Sequence, residues 1–101
     1  MMRLIVLFSL KSGVSHEAYQ AWARAQDLPT VRNLPSITSF DVFRATGRLG
    51  DGPTPYDYIE IIDIGDMDQF NKDIATQKMQ SIAAQFAEMA DAIFLTTEAV
   101  A

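Results

Sequence analysis

Arg44 and Glu60 have the same parity in two extended runs, residues 37–46 and 56–64, joined by a stretch rich in glycine and proline. Folded as a hairpin, the runs place Arg44 opposite either Tyr58 or Glu60. Phe40, Val42, Tyr58 and Ile62 flank them, so both charges would sit on a largely apolar face. A carboxylate there is costly to ionise and tends to keep its proton, which is what a general acid or base working near neutral pH requires. A simple cross-strand ion pair accounts for the same two residues equally well.

A second polar group surrounds Pro29. Asp27 and Arg32 flank it, and capping or solvation of a kinked helix is the simpler reading. A broken helix also exposes amides and turns side chains inward. Asp27, Thr30 and Arg32 are therefore candidates for the polar end of an otherwise apolar pocket. Trp22, the only tryptophan, belongs to a helical stripe and reads either as core or as a wall for stacking a flat ligand. Phe86 and the methionines 67, 79 and 89 suit core filling or an adaptable pocket in the same way. His16, the sole histidine, falls in a first helical turn and reads as surface.

These residues exclude several chemistries. One histidine, no cysteine and scattered carboxylates give no metal-ligand spacing, and the expected second helix offers no histidine as an axial haem ligand. No Ser-His-Asp set, phosphate loop or dinucleotide fingerprint is present, so no cofactor is expected. Thirteen acids against eight bases leave a net charge of −5, which repels nucleic acid and anionic lipid. Residues 4–10 have the look of a short secretory signal, but branched and aromatic content and the missing small-residue cleavage site favour a buried strand. No apolar run approaches the roughly 18 residues of a membrane span, and the absence of cysteine fits a cytoplasmic protein.

The elements that position these side chains follow from periodicity. At 101 residues the chain is one domain. A strand over 2–11 is followed by a helix capped by Ser15, with Tyr19, Trp22, Ala23 and Gln26 on its inner stripe. This helix should break at Pro29, Asp27 capping a short turn beyond. Strands over 37–46 and 56–64 enclose a loop over 47–55, whose three glycines and two prolines predict a mobile segment near a pocket mouth or dimer edge. Asp66 caps the next helix, Thr76 restarts it, and a last strand covers 93–97. The order is βαββαβ, an α+β ferredoxin-like pattern with both helices on one face of a four-stranded antiparallel sheet. Strands one to three are apolar on both parities, with Phe40 and Val42 opposing Ile37 and Phe43. The bare face therefore needs a partner, and the predicted assembly is a homodimer packing sheet to sheet.

This architecture resembles the dimeric α+β barrel superfamily. A narrower resemblance rests on Tyr19-Gln20-Ala21-Trp22-Ala23-Arg24, Asp27-Leu28-Pro29-Thr30-Val31-Arg32, Leu34-Pro35-Ser36, Ser39-Phe40, Arg44-Ala45-Thr46-Gly47 and the hairpin from Tyr56 to Glu60. Together they resemble the RedY-like family that includes HapK, found in prodigiosin-type pathways that join pyrrole or indole units. The resemblance implies a cofactor-independent enzyme of secondary metabolism acting on a small planar aromatic ligand, with condensation or cyclisation aided by proton transfer. By their chemistry Trp22, Phe40, Tyr58 and Phe86 would hold the flat substrate, Glu60 or Asp27 would move a proton, and Arg44 or Arg32 would orient that acid or stabilise developing negative charge. A non-catalytic ligand-binding or stress-type dimer, and a quinol-type monooxygenase, are the alternatives.

Overall fold

Strand β1 (Met2–Leu10) is the branched, apolar run at the N-terminus, and it lies inside the sheet rather than at an edge. The structure, a computed structural model, describes residues 1–101. After a turn at Gly13 (φ 89°), Ser15 Oγ accepts a hydrogen bond from the Ala18 amide at 3.0 Å and starts α1 (His16–Trp22). A side-chain oxygen at this position satisfies an amide that the first helical turn leaves free.

The helix then widens instead of breaking. Residues Ala23–Asp27 form a π turn in which the Leu28 amide bonds to the Ala23 carbonyl five residues back, and α2 (Leu28–Arg32) continues from it. Asp27 has helical dihedrals (φ −69°, ψ −58°) and caps nothing, contrary to the expected break. Proline lacks an amide donor and its ring crowds the carbonyl four residues back; a wider turn relieves both problems without leaving helical geometry.

Strands β2 (Ile37–Arg44) and β3 (Tyr58–Ile64) pair antiparallel, with Val42 opposite Glu60 and Arg44 opposite Tyr58. The register slips at Thr38, between the Ile37–Ile64 and Ser39–Asp63 pairs. This bulge moves Ile37 onto the same face as Phe40 and Val42, correcting the expectation that it opposes them, because an extra residue reverses the alternation. The connection over 45–57 contains no helix or strand and is largely exposed, with Gly50 and Gly52 at positive φ.

Asp66 caps α3 (Met67–Ile74) through the Gln69 amide, and Thr76 caps α4 (Gln77–Met89) through the Met79 amide. The buried Asp73 carboxylate accepts hydrogen bonds from the Ser36 amide and hydroxyl and from Gln69, tying α3 to the start of β2. Those bonds, Ser36 first, hold its titration below the usual carboxylate range. α4 runs straight into β4 (Ala90–Thr96), which begins three residues earlier than its composition suggests because Ala90 already has extended dihedrals.

All strand pairs are antiparallel in the order β2-β3-β1-β4, which with both helical segments on one face is the ferredoxin-like α+β fold. The core lies between that face and the helices, built on Val6, Phe8, Tyr19, Tyr58 and Ile64. The opposite face pairs Ile5 with Ile61, Leu7 with Ile59, and Phe43 with Ile59, and Ile93 and Leu95 extend it across β4. Phe43 and Ile93 are about half exposed there (51% and 46%), so the second apolar face is real and bare in the single chain. No helix is long and apolar enough to cross a membrane.

Candidate active site

A cavity of about 770 Å³ lies between α4 and the sheet. Small residues create it: Ala83 and Ala87 of α4 and Ala90 and Ala92 of β4 offer methyl groups where larger side chains would fill the gap. Phe40, Ile62, Phe70, Met79 and Phe86 make the remaining wall mostly apolar, while Lys11 and Asp91 stand among its few polar lining residues. Lys11 is held by the Ala87 carbonyl at 2.7 Å and lies 4.0 Å from Asp91.

Two other carboxyl groups open into this cavity. Glu60, 5% exposed, sits on β3 between Val6 of β1 and Val42 of β2, neighbours whose side chains have no donor to offer. Burial, helped by the nearby charge of Asp27, pushes its titration up to about 8. Asp27 is delivered by the π turn, and burial raises it to about 6. Neither carboxylate receives a hydrogen bond from the protein, so nothing offsets desolvation. At neutral pH Glu60 is then mainly an acid and Asp27 mainly a base.

The other expected residues lie elsewhere. Arg44 is exposed and paired in register with Tyr58, so the Arg44–Glu60 ion pair does not form. The Ala45–Asp57 hydrogen bond that continues the ladder sets this register. Arg32 turns to the sheet edge, where it donates to the Phe40 carbonyl (2.9 Å) and to Asp41 (3.2 Å). Thr30 is half-buried and outside the cavity lining. Trp22 stands one layer behind it: the ring stacks on Phe86 with centroids 6.3 Å apart, and Nε1 donates to Gln85 at 2.6 Å. Tyr58 stacks on Phe8 (5.1 Å), and its hydroxyl accepts from Gln20 at 3.1 Å and meets His16 Nδ1 at 2.9 Å. His16 is consequently half-buried, not a surface residue. Of the nine expected site residues, Asp27, Phe40, Glu60 and Phe86 reach the cavity. The loop over 45–57 contributes nothing to its lining.

Sequence reasoning missed Tyr19 as a polar group. Its ring is 1% exposed and its hydroxyl has no partner. Burial first, then the charges of Glu60 and Asp27, drives its titration above the normal tyrosine range. The available signal was its i, i+4, i+8 spacing with Ala23 and Asp27, which the stripe analysis treated as core alone. No three His, Cys, Asp or Glu side chains converge as a metal site would require.

A sequence profile of the REDY-like HapK proteins matches residues 2–100. The chain belongs to the HapK family. The crystal structure of HapK from Hahella chejuensis is 31% identical to it, with a TM-score of 0.81 over 99% of this chain and 93% of that one. The family resemblance expected from residues 19–47 and the hairpin from Tyr56 to Glu60 is therefore correct. SnoaB, a cofactor-independent oxygenase from Streptomyces nogalater, is 15% identical with a TM-score of 0.75, covering 99% of this chain and 93% of its own. A dimeric ferredoxin-like protein of unknown function from Thermobifida fusca is 20% identical with a TM-score of 0.70, covering 97% and 90%. These two share the fold of the HapK-family chain, and their likeness carries no more than that. No curated protein sequence matches.

Proposed function

We propose that this HapK-family chain is a cofactor-independent enzyme of secondary metabolism, working as a homodimer. Its substrate is a planar pyrrole- or indole-type intermediate bound in the helix–sheet cavity, and it assists condensation or cyclisation by proton transfer. The observation carrying this reading is Glu60, a buried carboxyl without a partner, facing an apolar space. Phe40 and Phe86 hold the ring. Glu60 donates its proton to the oxygen that leaves or gathers charge, and Asp27 accepts the proton lost from the ring carbon or nitrogen, so proton count balances over the step. Arg44, Arg32, Thr30 and Tyr58 take no part at the reacting atoms; Trp22 reports on the site through Phe86.

The test uses a panel of pyrrole and indole aldehydes with their nucleophilic partners. Glu60→Gln keeps shape and removes the titrating proton, so the variant should fold and bind while turnover falls by roughly 10²–10⁴-fold. Binding should change Trp22 fluorescence. Normal turnover by Glu60→Gln removes the proton-transfer reading. Binding without turnover in the wild-type protein favours a ligand-carrying dimer, and oxygen uptake with a hydroquinone favours an oxygenase.

A further inference from the structure

Glu60 is well suited to hold a proton and poorly suited to lose one. Once it has donated, an anion remains between two valines with no donor in contact. The one unspent donor in the neighbourhood is the Tyr19 hydroxyl, buried and without any partner. Its ring is fixed on three sides, edge-on to Phe8 (5.3 Å) and against Tyr58 (4.7 Å) and Trp22 (6.1 Å). Phe8 and Tyr58 are register partners, and Tyr58 and Glu60 are alternate residues on one strand face. Tyr19 thus packs on the patch next to Glu60, with its hydroxyl outside hydrogen-bond distance in the resting protein, so a small shift of the two side chains is what engages it.

We infer that Tyr19 is a positioning residue whose hydroxyl serves Glu60 as a reserve donor, idle while Glu60 is protonated and engaged when it is ionised. This rests on the cavity being the site of proton transfer. An orphaned hydroxyl among aromatic rings is unfavourable in the resting protein. The same hydroxyl stabilises the carboxylate that the proton transfer leaves behind, because a donor bonded to an ionised acceptor is stronger than one bonded to a neutral group. Consistent with closeness, Glu60 is the charge that acts most strongly on Tyr19, ahead of Asp27. The other titratable groups around Glu60 are Asp27 from the π turn and Tyr58 on its own strand. The helices α3 and α4 present no titratable side chain to the cavity, and Lys11 and Asp91 are the remaining charges that line it.

The chain has four glutamates, so ¹³C labelling of glutamate carboxyls gives a small set of resonances, and Glu60 is assigned as the one missing in Glu60→Gln. In Tyr19→Phe the reserve donor is gone, so the Glu60 midpoint should rise by about one pH unit, roughly tenfold in proton affinity. In the same position 3-fluorotyrosine, a stronger donor of nearly the same shape, should lower it. Shifts of opposite sign do not arise from altered packing, and the fluorotyrosine protein decides the matter if the phenylalanine variant does not fold. A midpoint unmoved by both changes, or moved the same way by both, overturns the assignment. The titration uses neither ligand nor turnover, so it can fail while the cavity remains the active site, and it can succeed if the proposed chemistry is wrong.

Discussion

Glu60 and Asp27 give the protein an unusual dependence on pH. Below the ordinary glutamate value of 4.5 the folded and unfolded chains both hold the Glu60 proton; between there and about 8 only the folded chain does. The unfolded state then binds fewer protons, so stability falls as pH rises through this window and levels off above it. Asp27 adds to the fall up to about 6. Denaturant unfolding should show the protein less stable near pH 8 than near pH 5 by on the order of 3–4 kcal/mol, and Glu60→Gln should flatten most of that slope. A wild-type stability that rises across the window would mean that Glu60 is ionised and paired. The sequence made Glu60 legible, because a lone carboxyl in an apolar strand parity stands out. It hid the loss of Arg44 as partner, because opposition on a hairpin depends on the ladder's register, and parity alone admits both Tyr58 and Glu60.

The elements were read well wherever local chemistry sets them. Ser15, Asp66 and Thr76 all cap as their positions imply, since a cap needs only a short side-chain oxygen and the next three residues. Single-residue departures escaped, namely the π turn that delivers Asp27 and the bulge at Thr38, because one extra residue leaves the flanking periodicity intact on either side. Thr76 matters beyond its own turn: its hydroxyl donates to the Asp73 carbonyl at 2.9 Å and receives the Met79 amide at 3.3 Å, fixing where the cavity wall α4 begins. Thr76→Ala should cost about 1 kcal/mol, and hydrogen exchange over residues 77–83 should accelerate more than exchange in β1. Equal acceleration throughout would mean that α4 has no independent opening.

At the scale of the molecule, the bare sheet face is the outstanding feature. Its centre is Leu7, paired with Ile59 on one side and Ile93 on the other. Sedimentation equilibrium at micromolar concentration should find a dimer, and Leu7→Arg should yield a monomer or an insoluble chain, because a charge cannot be buried unpaired in such an interface. A folded wild-type species of single-chain mass under those conditions would contradict the pairing. The helix-covered side has a different consequence. Only eleven hydrophobic residues are buried in 101, and a space of about 770 Å³ stands where a chain of this size would ordinarily keep side chains. A guest of the proposed kind would therefore complete the interior as well as occupy a site. If the proposed ligand binds there, its binding free energy would add to the protein's resistance to unfolding and proteolysis, and the amount of this protein surviving in a cell should rise with the supply of that guest.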